Sequence, residues 1–197
     1  LSLWVKSDSA TISADFVIWY HVETSASNNA EQYLWYDESE EKIKFTRTDA
    51  DGANPATSEY AHAKSKMVAW THVAVSVVHD GAMRMFINAV EDGTNADSPG
   101  GWTASTADAY YGVNGDGGSA FFNGYINNVA IWNSNFGGGT ITEIYNQGRP
   151  KNELQSYPNM YFYHVSNEKT FVSDTGYQLA TFGLDQIRRV TYSGAIV

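Results

Sequence analysis

The stretch WTHVAVSVVHDGAMRMFINAV, residues 70–90, constrains the fold more than any other part of the chain. Side chains on a strand alternate between faces, so Val73, Val75 and Val77 share one face of a first run. After His79-Asp80-Gly81-Ala82, Met83, Met85 and Ile87 share the corresponding face of a second run. Two period-two runs joined across Asp80-Gly81 predict a hairpin, with the valine face buried. Similar alternating or β-branched and aromatic runs recur at Leu1 to Lys6, Phe16 to Val22, Gln32 to Tyr36, Lys42 to Thr48, Trp70 to His79, Met83 to Asn88 and Phe122 to Trp132. Met160 to Val165 and Gln186 to Tyr192 add further strands.

One helix interrupts this pattern. Thr140 and Glu143 have the spacing of a capping box, Ile141, Ile144 and Tyr145 can share a stripe, and Gly148 and Pro150 end the run. Many short strands and one short helix predict an all-β fold, a two-sheet antiparallel jelly-roll sandwich. The acidic stretches at 37–42, 49–59 and 91–105 read as loops between strands. RPKNELQSYPN, at 149–159, is the expected joint, dividing a sandwich over 1–148 from an extension over 149–197 whose strands close the same sandwich.

A length of 197 residues suits one domain, and 13 Tyr, 9 Phe and 6 Trp supply a core. The net charge of −10 repels nucleic-acid phosphates and anionic membrane surfaces. Polar residues from Thr71 to Arg84 break the most apolar stretch, Met67 to Val90, so it makes no continuous membrane span. The absence of cysteine excludes disulfides and thiolate metal sites. Leu1 opens on LSLWVK, text that reads as mid-strand, so the chain is expected to be a piece of something longer.

The order LSLWVK, then the 70–90 hairpin, then YYGVNGDGGSAFFNGYINNVAIWN, then TITEIYNQG resembles the laminin-G-like branch of the concanavalin A-like lectin and glucanase superfamily over residues 1–148. Trp70, His72, Val73, Asp80, Gly81 and Asn88 carry most of the likeness. The resemblance implies a jelly roll, with one or two strands ahead of the LSLWVK position that this sequence lacks. It also implies an acidic pair where this chain has Asn127-Asn128. IYNQGRPKNELQSYPNM is similar to laminin-G-like modules of marine phage structural proteins.

Gly115, Gly117 and Gly118 read first as a tight connection, and Gly124 as a place where the strand passes close to a neighbour. The sharper reading makes Asn114 and Asp116 ligand-binding residues at a loop edge. Relatives of this kind often hold calcium on a sheet edge, which makes Asp92, Asp97 and Asp116 weak metal candidates, with Asp49, Asp51 and Asn114 behind them. No other cofactor is expected. Trp102, in SPGGWTAS, is the one tryptophan that reads as a loop platform for a pyranose ring, whereas Trp4, Trp19, Trp70 and Trp132 read as core.

Glucanases of the superfamily use a Glu-x-Asp-x-x-Glu strand, and no Glu here has Asp two positions later. Asp37, Glu38, Glu40 and Glu41 read as a solvated acidic loop, and His72 as a strand residue hydrogen-bonded beneath a loop. The expectation is a non-catalytic module that binds glycans or protein surfaces, outside a cell or on a phage virion, with oligomer formation left open. Its rivals are a structural capsid or tail protein that recognises no sugar, and a polysaccharide-cleaving enzyme using carboxylates such as Glu31, Glu59 or Glu91.

Overall fold

A computed structural model of the chain describes residues 1–7, 14–22, 31–48, 56–60, 67–78, 81–95, 108–112, 122–149, 154, 157, 159–164, 170–172, 179–180 and 190–191. The strands are β1 (Ser2–Ser7), β2 (Phe16–Val22), β3 (Glu31–Asp37), β4 (Lys42–Arg47), β5 (Ala56–Tyr60), β6 (Thr71–Val77) and β7 (Met83–Ile87). They continue as β8 (Val90–Asn95), β9 (Asp108–Tyr111), β10 (Gly124–Trp132), β11 (Met160–His164), β12 (Thr170–Val172), β13 (Leu179–Ala180) and β14 (Val190–Thr191). An α-helix, α1 (Gly138–Tyr145), follows β10.

Two antiparallel sheets result. One runs β13-β12-β10-β1-β6-β7-β8, with β11 also on β10, and the other runs β14-β9-β2-β3-β4-β5. The nine-residue β10 is long enough to pair with β12 over Gly124–Ile126 and with β11 over Val129–Trp132. The 70–90 hairpin forms in the register its alternation predicts, Val73 opposite Ile87, Val75 opposite Met85 and Val77 opposite Met83.

Apolar alternation fills the space between the sheets. Leu3, Val5, Val73, Val75, Met85, Ile126 and Ile131 from one sheet meet Phe16, Trp19, Leu34, Tyr36, Ile43 and Phe45 from the other in one continuous core. A second cluster lies on the opposite face of the larger sheet, where Ile141 and Ile144 of α1, with Leu154, cover Ala74, Phe86, Ala130 and Trp132. The larger sheet is therefore packed on both faces, while the outer face of β2, β3 and β4 carries no helix among the described residues.

Several sequence expectations are corrected. Segments 49–59 and 91–105 are not wholly loop, because β5 and β8 overlap them. The helix starts at Gly138 with Gly137 as its N-cap and no side-chain cap, so Thr140 sits inside the first turn and the capping box does not form. It ends at Asn146, in the left-handed region at φ 49°, before Gly148 is reached. Trp70 precedes β6 and is only half-buried, tilted against Tyr125, whereas Trp4, Trp19 and Trp132 are buried as expected.

Gly124 is a close approach. A Cβ there would fall on the Lys6 carbonyl oxygen and 2.9 Å from Phe122 Cε1. Asn127-Asn128 marks the irregularity where the β1 register on β10 shifts between Ser2 and Trp4. Asn128 has φ 49°, which asparagine tolerates well, and its N–H donates to the Asn127 side-chain oxygen at 2.8 Å.

Candidate functional site

In β3 the alternation points Gln32, Leu34 and Tyr36 inward and leaves Tyr33 and Trp35 on the outer face, half-buried. Register carries this outward set across the sheet. Tyr110 of β9 lies opposite Tyr20 of β2, Tyr20 opposite Tyr33, Tyr33 opposite Thr46 of β4, and Thr46 opposite Thr57 of β5. Three tyrosines and two threonines thus form one cross-strand row over five strands. At ~4.8 Å per strand the row is ~19 Å long. The Tyr20 and Tyr33 ring centroids are 6.2 Å apart, and those of Tyr33 and Trp35 are 6.1 Å apart.

The rings are tethered. Tyr20 donates to Glu31 Oε1 at 2.9 Å, and Trp35 Nε1 donates to Thr46 Oγ1 at 3.0 Å. Thr46 and Thr57 hydroxyls are 3.1 Å apart, and Lys44 Nζ lies 5.3 Å over the Trp35 ring. Burial pushes the Tyr33 hydroxyl pKa up; the Thr46 hydrogen bond opposes this and the Glu31 charge adds to it.

At one end of this face Lys44 Nζ bonds Asp37 Oδ2 at 2.8 Å and reaches Glu40 at 3.0 Å, and Lys42 reaches the same Glu40 at 2.8 Å. Asp37 is therefore not a solvated loop carboxylate. The Lys44 and Ser39 hydrogen bonds hold its carboxyl down at about 2. Chemically, the face offers flat apolar rings held in place, a row of hydroxyls and a neutralised charge pair.

Of the sequence candidates, Trp102, Asn114, Asp116 and Asp97 lie outside the described residues, as do Asp49 and Asp51. Asp92 is exposed on β8. Among the described residues no group of three or more His, Cys, Asp or Glu could hold a metal. One carboxylate supplies at most two of the six to eight oxygens calcium takes. His72 lies not beneath a loop but in a three-ring cluster with Trp4 and with Tyr145 of α1, at centroid distances of 5.3 and 5.8 Å, while Trp4 and Tyr145 stack on each other at 5.8 Å. Its Nε2 is 2.8 Å from Ser2 Oγ, and burial pushes its pKa down to about 3, so it is a neutral structural residue at ordinary pH.

Sequence reasoning missed Tyr20, Tyr33, Trp35 and Tyr110. The alternation of EQYLWYD already placed Tyr33 and Trp35 on one face; only the register added the other two.

A family model described as the concanavalin A-like lectin/glucanases superfamily, Laminin_G_3, matches residues 1–142. No curated protein matches the chain. The two antiparallel sheets and the match over most of the length agree, and this chain belongs to the concanavalin A-like lectin/glucanases superfamily.

Proposed function

We propose that the chain is a non-catalytic binding module whose ligand is a glycan, held on the outer face of β2, β3 and β4, in an extracellular or virion-surface setting. The observation that carries this reading is the row Tyr110–Tyr20–Tyr33, flanked by Trp35 and continued by Thr46 and Thr57. Half-buried rings on a rigid sheet present apolar faces to the C–H faces of pyranose rings at little entropic cost, and the buried Thr46 hydroxyl beneath them holds Trp35 in place.

Support for a non-catalytic reading comes from carboxylate placement. Glycosidases need two carboxyl groups ~5–5.5 Å or ~6.5–9.5 Å apart. Glu31 and Asp37 stand at opposite ends of β3, six residues and ~20 Å apart. Glu59 occupies the register position opposite Lys44, two strands away from β3. Glu91 is on the other sheet, 3.7 Å from Arg84.

The test is calorimetry of the wild type, Tyr33→Ala and Trp35→Ala against the best ligands from a neutral glycan panel. Each variant should melt as a folded protein yet lose ~1–3 kcal/mol of binding, the range for a truncated aromatic anchor. Undiminished binding by both variants would remove the face from the account. No binding to any glycan would favour a structural protein surface, and released reducing ends would establish an enzyme.

A further inference from the structure

The inner face of the six-stranded sheet breaks its own rule at one end. Successive inward rows across β2, β3 and β4 are Phe16–Tyr36–Ile43, then Trp19–Leu34–Phe45, then His21–Gln32–Arg47. The first two rows are apolar or aromatic, as a sandwich interior demands. The third is polar throughout, yet its members are as buried as the core, with His21 0%, Gln32 9% and Arg47 4% exposed.

This row borders a cavity. A pocket of about 310 Å³ lies between the sheets, with Gln32 and Arg47 on one side and Val75 and Val77 of β6 and Ile131 of β10 on the other. Trp19 and Phe45 line it from the first sheet, and Asn133, Ser134 and Asn135 follow β10 at its rim. The rim is itself organised, since Ser76 Oγ is hydrogen-bonded to Asn135 Oδ1 and Ser134 Oγ accepts from Asn159 Nδ2 at 3.1 Å.

We propose that this pocket binds a small carboxylate carried on a six-membered ring, a class that hexuronates represent. Arg47 already has a partner within the protein, and a guanidinium's planar fork carries more donors than one partner uses. Its five N–H donors serve more than one partner at once, so contacts within the protein and to a ligand coexist. A carboxylate matches that fork in two parallel hydrogen bonds, and the Gln32 amide stands beside it in register. Trp19 and Phe45 give the ring body flat apolar walls, and the Asn and Ser rim gives its hydroxyls partners. The volume is at the lower end of small-molecule sites, ~300–1,000 Å³, which suits one ring rather than a chain. At a net charge of −10, few anions accumulate by long-range attraction, so selectivity rests on this local fork.

The experiment is an intrinsic tryptophan fluorescence titration of the intact chain and of its Trp35→Phe variant, which silences the sheet face, with sodium glucuronate, glucose and inorganic phosphate as probes. Glucuronate should saturate the signal at millimolar concentration, with glucose and phosphate at least tenfold weaker. Arg47→Gln should abolish the response. Because Arg47 is buried and that variant risks misfolding, Ser134→Trp provides a second arm: a half-buried rim residue enlarged to obstruct the mouth, expected to weaken glucuronate at least tenfold in a protein that still melts cooperatively. Equal binding of glucose and glucuronate, no glucuronate response, or a folded Ser134→Trp protein with unchanged affinity would overturn the proposal. Phosphate binding as tightly as glucuronate would also overturn it, because the ring would then contribute nothing. The pocket and the sheet face fail separately, since one is followed by glucuronate quenching and the other by neutral glycans on Tyr33 and Trp35 variants.

Discussion

Replacing Lys44 by Met keeps most of the side-chain length over Trp35 and removes the charge that faces Asp37 and Glu40. The Asp37 carboxyl falls from 3.8 to about 2 in the folded chain, with the Lys44 hydrogen bond the largest cause. At ~1.4 kcal/mol per pKa unit this bounds the contribution near ~2.5 kcal/mol. Screening at a side chain 11% exposed brings the expected value to about 1–2 kcal/mol. A depressed folded pKa gives stability that is present above pH 3.8 and lost as the pH falls through about 2. Glu40 is held down in the same direction, by Lys42 first and then Lys44.

The assay is thermal melting of wild type and Lys44→Met from neutral pH to pH 2, followed by circular dichroism. With ~2–4 °C per kcal/mol for a chain of this size, the variant should melt roughly 2–8 °C lower at neutral pH. The gap should hold steady down to the ordinary carboxylate range and close as Asp37 protonates. Curves that stay parallel down to pH 2 would refute the reasoning, because the loss would then come from packing over Trp35 and not from the ion pair.

Gly124→Ala should cost ~1–3 kcal/mol or more, since its methyl meets the Lys6 carbonyl and the fully buried Phe122 ring, whereas Gly139→Ala, exposed in α1 with nothing within 4 Å, should gain ~0.5–1 kcal/mol. Chemical denaturation of the pair checks both signs. Val75→Asp, at a core position 4% exposed, should abolish folding; a soluble variant with a cooperative melt would contradict its burial.

The parts legible in the sequence are those where one strand's own alternation decides the outcome. Val73, Val75 and Val77 needed only period two and an Asp-Gly turn to set the hairpin, and Gly124 stood out as the one small residue in an aromatic run. ATSEY and VEDGTN carry no such alternation. They are strands because β4 and β7 offer them unpaired backbone, a tertiary cause that local text does not contain. The helix start failed for a different reason. Thr140 and Glu143 match the capping spacing, but Ile141 and Ile144 must reach the cluster over Phe86 and Ala130, and the N-cap of α1 lies three residues earlier, at Gly137. Both candidate sites escaped because each is a row across strands. Tyr20, Tyr33 and Tyr110, like His21, Gln32 and Arg47, come from separate segments that only register aligns.

The tethering of the sheet-face rings constrains the kind of recognition the proposed function allows. The Tyr20 hydroxyl is spent on Glu31 and the Trp35 indole N–H on Thr46, while the Thr46 hydroxyl also meets Thr57 and Tyr33. Groups satisfied within the protein lose a hydrogen bond if they turn to a ligand, so they hold the rings still and leave little to read sugar hydroxyl configuration. A site of this build binds through ring faces. Discrimination between sugars differing in one hydroxyl needs a dedicated buried polar partner, which a tethered aromatic face lacks. The glycan panel should therefore return a family of flat, neutral chains with similar affinities, and a single sugar bound far more tightly than its epimers would mean that recognition lies away from Tyr20, Tyr33 and Trp35.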